Sequence, residues 1–324
     1  MLTVRQECSE SPIPVEIDAG SEIRAKIFTA NGKYIVGGGP GDELGVWRVE
    51  DGKQMATLAA RFVYCVAVSK DGRWIAAGTY YGAVIVWDTE TFEQVLMHRE
   101  NLGDILGVDF SPDSSRVVTA SKNFKATVWD VAARKTVLTF PHEDWLKAAK
   151  YSPQGDRIAT ATPDSVRVYD SNDGRLLVDI PVKVTPDYNT GLLWSNSHLF
   201  VVSDGTIKQL EASTGSTVSQ WSVPAANNTS CIALPQHGEF IAYSTNHAVT
   251  FWDTSTHAQL GLIQHTHSIS SIAFSPDDRF FAIGGNSEKI VINDLRDVPR
   301  VSFIYCRAHQ NSYTFFLKLP IHFT

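Results

Sequence analysis

The sequence predicts an all-β chain of seven four-stranded antiparallel sheets. Three observations carry this: a motif that recurs every 40–42 residues, turn chemistry at a fixed distance upstream of it, and short β-branched segments between the turns. The motif ends each repeat in a β-branched stretch capped by an aromatic and usually an acid. Its copies are VWRVEDG at 46–52, VWDTETF at 86–92, VWDVAAR at 128–134, VYDSNDG at 168–174 and FWDTSTH at 251–257. Weaker copies, QLEASTG at 209–215 and INDLRDV at 292–298, keep the register. The aromatic slot thus holds Trp47, Trp87, Trp129, Tyr169, Leu210, Trp252 and Asn293, spaced by 40, 42, 40, 41, 42 and 41 residues, a regularity that chance does not produce.

About nineteen residues before five of the seven markers stands a turn: FTANGKY at 28–34, VSKDGRW at 68–74, FSPDSSR at 110–116, YSPQGDR at 151–157 and FSPDDRF at 274–280. Proline presets φ, and glycine or asparagine accepts positive φ, so each of these closes a hairpin. Segments such as RIATAT at 157–162, SVRVYD at 165–170 and RLLVDI at 175–180 are short, β-branched and bounded by turns, which marks them as consecutive strands. Helical periodicity is absent over comparable lengths. A four-stranded sheet with two apolar faces cannot bury both alone, so the copies are expected to stack radially into a closed seven-bladed β-propeller.

Composition fits that architecture. With 43% hydrophobic residues and 19% charged, there is a core to bury, and disorder over most of the chain is excluded. A formal charge of −7 without a basic stripe disfavours DNA or RNA as the main partner. No apolar run suits a signal peptide or a membrane span, so a cytosolic or nuclear protein without membrane contact is expected. Cys8, Cys65, Cys231 and Cys306 are too scattered for a disulfide framework or a zinc knuckle, and the sequons beginning at Asn227 and Asn228 would matter only in a secreted chain.

A repeat of this length ending in Trp-Asp, with Ser-Pro-Asp turns, resembles the WD-repeat family over about residues 22–294. The resemblance implies that each blade is tied by hydrogen bonds running from the Trp indole to Ser or Thr, then His, then Asp. No blade here has all four. The fourth comes nearest, with His142, Thr160 and Asp164 in register and Tyr169 in the Trp slot. The third offers Asn101, Thr119, Asn123 and Trp129, and the seventh keeps His265 but has Ile283 and Asn293. Cohesion is therefore expected mainly from apolar packing between blades. Asp109 and Lys150 occupy equivalent slots of adjacent inner strands where the family usually has a small residue, and are expected to form a structural ion pair.

The last blade can take its outer strand from PVEI at 14–17 or from VSFI at 301–304; family precedent implies the former. The expected organisation is a flexible N-terminus at 1–12, a propeller at 13–304 and a non-repeat tail at 305–324.

Candidate chemistry elsewhere is sparse. GGGPGDELG at 37–45 has glycines able to present backbone amides to phosphate, but lacks the Gly-Lys-Ser/Thr ending and precedes a strand, so a lengthened turn is expected. His265 and His267 lack an obvious third metal ligand, and no nucleophile elbow or HExxH motif occurs. No catalytic residue, cofactor or metal is predicted. The resemblance implies instead a partner-binding rim where the inner strands begin, which maps onto Phe62, Tyr80, Tyr81, Asp104, Trp145 and Tyr188. The expected function is a non-catalytic scaffold for proteins or peptides, monomeric within a larger complex. Alternatives are a degenerate structural propeller, a recognition module of a larger assembly, and a propeller enzyme acting on a small molecule in the channel. The Trp-Asp-x-Arg signature of cullin-ligase substrate receptors is incomplete, since Trp129-Asp130-Val131-Ala132 lacks the Arg and Asn293-Asp294-Leu295-Arg296 lacks the Trp.

Overall fold

The computed structural model of the chain describes residues 15–99, 103–185, 191–224 and 231–298. Asn101, Tyr188, the alternative closing strand at 301–304 and the tail at 305–324 lie outside the described residues. Seven four-stranded antiparallel sheets are present, and six of them are built from strands consecutive in sequence. The seventh takes its outer strand from the other end of the chain. Val15–Asp18 pairs antiparallel with Lys289–Asp294, Val15 opposite Ile292 and Asp18 opposite Lys289. Among the described residues the only helical turn is Leu295–Asp297.

The marker slot has a specific geometric role. In six blades the pairing of the third strand with the outer strand slips by one residue at that position, at Val46/Trp47, Val86/Trp87, Val128/Trp129, Val168/Tyr169, Gln209/Leu210 and Phe251/Trp252. The extra residue lies in the outer strand, which the bulge bends, while the marker side chains Trp47 and Trp87 of the third strands pack in the joints between blades. The following acid then closes the turn to the outer strand. Asp88 Oδ1 accepts from the amides of Glu90 and Thr91, both at 2.9 Å, and Asp253 Oδ1 accepts from Ser255 and Thr256 at 2.9 and 2.7 Å. Accepting these amides holds the Asp88 carboxyl below the usual carboxylate range.

The core lies between the blades. Leu44, Val46 and Leu58 of the first pack with Val63, Ile75, Ile85 and Trp87 of the second, and the pattern continues around the ring. Small residues let the sheets approach closely. A Cβ added to Gly78 would stand 2.4 Å from Ile105 Cγ2 and 2.6 Å from Cys65 Sγ, and one added to Gly107 3.0 Å from the Cα of Ala148. The hairpin turns form a second contact ring at the end where the inner strands finish. In the third and seventh blades the positive-φ turn residue reaches back to the previous blade: Ser114 Oγ accepts from the Asp71 amide at 3.1 Å, and Asp278 Oδ1 from the Gln236 amide at 2.8 Å.

One core position is mismatched. Tyr151 takes the slot held by Phe28, Phe110 and Phe274 in other repeats, and its buried hydroxyl has no hydrogen-bond partner among the described residues. Burial also pushes its phenol pKa upward. An unpaired buried hydroxyl costs about 1–3 kcal/mol, so Tyr151→Phe should stabilise the protein by about 1 kcal/mol, read as a higher urea midpoint at unchanged m.

Candidate functional site

The loops that enter each inner strand and those that join the second and third strands gather on one face of the disk. In the second blade they carry a continuous aromatic row. Phe62 lies under Tyr80 and Tyr81, with ring centroids 6.2 and 5.7 Å away; Tyr80 and Tyr81 meet edge to face at 5.2 Å, and Tyr64 lies 5.9 Å from Tyr80. Guanidinium groups end the row, Arg24 at 5.9 Å over Tyr64 and Arg61 at 5.8 Å over Tyr81. Rings this close touch one another, leaving no room between them for a cation, so they present a platform and not a cage. Tyr80 and Tyr81 remain 46% and 44% exposed, large values for aromatics held in place by their neighbours.

The glycine-rich segment at 37–45 helps to build this platform. Phe62 sits in left-handed backbone at φ +51, held there by its amide donating to Gly41 O and its carbonyl accepting from the Tyr80 amide, at 2.8 and 2.9 Å. The Val63 amide donates to Gly39 O at 2.8 Å. The loop thus turns carbonyls toward the entry of the second blade. Arg61 and Arg24 also meet Asp42 and Glu22 at 2.7 and 3.1 Å. Such exposed pairs contribute little energy but orient the guanidiniums over the rings.

Trp145 forms a second station on the same face. It lies between two ammonium groups, Lys122 Nζ at 6.0 Å and Lys147 Nζ at 5.2 Å from the ring. Asp104 pairs with Lys122 at 2.8 Å, and Lys147 donates to Val184 O at 2.6 Å. Asp104 is thereby part of the scaffold that positions Trp145. Phe124, in the neighbouring loop, is 48% exposed and left-handed at φ +66, a conformation unusual for a bulky residue. Tyr64, Arg24, Lys122, Lys147 and Phe124 are absent from the sequence-derived rim. Phe124 alone has a local signal, an aromatic in a turn slot that favours glycine.

The fourth-blade network differs from the expected order. His142 Nδ1–H donates to Phe140 O at 3.0 Å, which leaves Nε2 as the acceptor facing Thr160 Oγ1 at 2.9 Å and the Tyr169 hydroxyl at 3.3 Å. Burial, with Arg167 nearby, lowers the imidazole pKa. Asp164, expected as a member, is exposed; only its backbone carbonyl takes part locally, accepting from the Val182 amide at 3.1 Å. The physical reason lies in the turn, which Thr162 closes by accepting from the Ser165 amide at 3.0 Å, leaving the carboxylate nothing to organise. Arg167 bridges Glu143, in the loop before the inner strand, and its cross-strand partner Asp179 at 2.8 and 3.0 Å. In the third blade Trp129 Nε1 donates to Thr119 Oγ1 at 3.3 Å, and in the sixth Trp252 Nε1 donates to Thr250 at 2.8 Å. His265 meets His267 O within its own loop at 3.0 Å.

Lys150 Nζ donates to Asp109 Oδ1 at 3.2 Å, and the Tyr151 amide to Asp109 Oδ2 at 2.9 Å, joining the third and fourth blades. Below this pair the channel opens into a funnel of about 630 Å³ lined from all seven blades, Asp109, Trp194 and Asp278 among them. Asp278 is held by the Gln236 and His237 amides and by the His237 ring at 2.6 Å. Among the described residues no three His, Cys, Asp or Glu side chains are placed to hold a metal ion.

A family model described as WD domain, G-beta repeat matches residues 52–88, 92–130 and 258–294. These matches end at Asp88, Asp130 and Asp294, in register with the repeats that form the seven sheets. The chain is a seven-bladed β-propeller that carries WD repeats at these positions. It is 23% identical over 287 residues to WD repeat-containing protein 18 of Danio rerio, covering 79% of this chain and 66% of that protein. Similarity to the Periodic tryptophan protein 2 homolog of Dictyostelium discoideum is 26% over 256 residues, covering 70% of this chain and 28% of that protein. A shorter stretch of 83 residues is 37% identical to WD repeat-containing protein 1 of Gallus gallus, covering 25% and 14%. The chain thus spans between 14% and 66% of the length of these three curated relatives.

In this propeller His142→Ala would leave the Thr160 and Tyr169 hydroxyls without their acceptor and lower stability by about 1–3 kcal/mol in urea titration, whereas Asp164→Ala should stay within about 0.5 kcal/mol. Burial holds the folded His142 pKa below the ordinary imidazole value of 6.5. As pH falls through that value, the unfolded chain therefore takes up a proton that the folded one resists, and stability is lost. His142→Ala should remove that part of the acid dependence.

Proposed function

We propose that this WD-repeat propeller is a non-catalytic scaffold that captures a protein or peptide on the aromatic row of its second blade, with Trp145 as a second anchor. The observation that carries this is the exposure of Tyr80 and Tyr81, 46% and 44%, above a row already immobilised from Phe62 to Tyr64. Aromatics held rigid before binding bury much area at little entropic cost, the usual basis of interface hot spots. Asp104 acts here as a positioning residue for Lys122 and Trp145, and Asp109 with Lys150 as a structural pair.

The absence of catalysis is part of the same proposal. The carboxylates that line the funnel, Asp109 and Asp278, each already bind a basic side chain and backbone amides, which leaves them poorly placed for acid–base work. The formal charge of −7 favours proteins over nucleic acid as partner. No helix among the described residues is long and apolar enough to cross a membrane. We place the scaffold in the cytoplasm or nucleus, with residues 13–304 as one monomeric propeller within a larger complex.

The test is affinity capture quantified by mass spectrometry, with Tyr80→Ala/Tyr81→Ala and Trp145→Ala compared against the unmodified chain at matched melting temperature. A partner held by this face should be retained at least about tenfold less well by the double variant. Undiminished capture of every partner would remove the face from consideration.

A further inference from the structure

We propose that Lys26 makes the joint between the first and seventh blades a pH-sensitive closure, tight when its amine is neutral and loosened when the amine takes up a proton. Lys26 lies in the inner strand Ala25–Phe28, two residues before Phe28. The same slot holds Val66, Val108, Ala149 and Ile272 in other blades. It is 5% exposed and crosses the joint, donating from Nζ to the backbone carbonyl of Ser271 in the seventh blade.

Its slot is shaped by glycine on both sides. A Cβ on Gly37 would come 3.2 Å from Lys26 Cβ, and one on Gly284 would come 3.2 Å from Nζ and 3.0 Å from Ile23 Cγ2. No carboxylate pairs with this amine among the described residues, in contrast to Lys150, which has Asp109. The titratable group that faces it is the Cys231 thiol of the sixth blade, itself kept neutral by burial and engaged with Ser244 Oγ at 2.9 Å. The strands of the first and seventh blades that enclose the slot present Gly37, Ser271 and Gly284, none of which titrates. An ammonium there carries three N–H donors for one carbonyl acceptor, and an uncompensated charge in a buried joint.

Burial lowers the Lys26 pKa from 10.5 to about 7. Between those values the unfolded chain holds a proton that the folded chain lacks, so stability rises with pH, the unfolding constant falling by up to about tenfold per unit. Below about pH 7 both states are protonated and the folded joint carries the whole burden. This joint is also where the ring is closed, since the chain passes from the outer strand of the seventh blade directly into the first, with the Ile23 amide donating to Gly285 O at 2.9 Å.

Side-chain NMR of the lysines in the wild-type protein tests the charge, and hydrogen exchange tests the joint. One lysine resonance should titrate near pH 7 and vanish in Lys26→Met; lysines that all titrate near 10 would overturn the proposal. From pH 6 to 8, after correction for intrinsic exchange, the Ile23 amide should gain protection relative to fourth-blade amides such as Thr160 by about tenfold. A constant ratio would overturn the loosening even if the titration is found. Because both measurements use the wild-type chain, the proposal stays testable if Lys26→Met does not fold.

Discussion

A four-stranded sheet that is apolar on both faces has to be covered twice, and in this chain another sheet is the cover. That constraint sets the closed ring, the place of the core between blades and the small residues that permit close approach. It also explains why the blades survive without a full set of polar ties. The indole of Trp129 or Trp252 finds a threonine close at hand, and the cohesion between blades resides in clusters such as that of Leu44, Val46, Ile75 and Trp87. Polar groups then add detail to a structure already determined by packing.

Much of the fold was legible because its period is written in side chains that do one job each. The marker aromatic coincides with a bulge and the acid after it with a turn, so a spacing of 40–42 residues translates directly into one blade apiece. Closure by the N-terminal strand rested on family precedent, since PVEI and VSFI are equally strand-like and pairing across the chain has no local signature. Asp164 shows the opposite limit. Its position in the repeat is right, but turn geometry depends on which neighbour reaches the backbone first, and Thr162 does.

The candidate site was legible only in part, and for a physical reason. Tyr80, Tyr81, Phe62 and Trp145 stand in loops, where large aromatics are conspicuous. Tyr64 and Arg24 belong to or adjoin inner strands and read as structural until the ring brings them beside another blade's loop. Lys122 is 18 residues from Asp104 and 23 from Trp145, so no local window contains the station they build. Phe124 was missed, because its left-handed backbone and its exposure become evident only in the folded loop.

The strand borrowed by the seventh blade carries a cost during synthesis. Val15–Asp18 is made before the six intervening sheets and its mate Lys289–Asp294 after them, so one edge partner waits while they are synthesised. Six sheets can mature in order as they emerge, while the final one offers a naked margin that any extended peptide could occupy. Biogenesis of the disk therefore hinges on a long-range handshake between strands made before and after the other six sheets, and shielding of the earlier one is what a folding helper would have to provide.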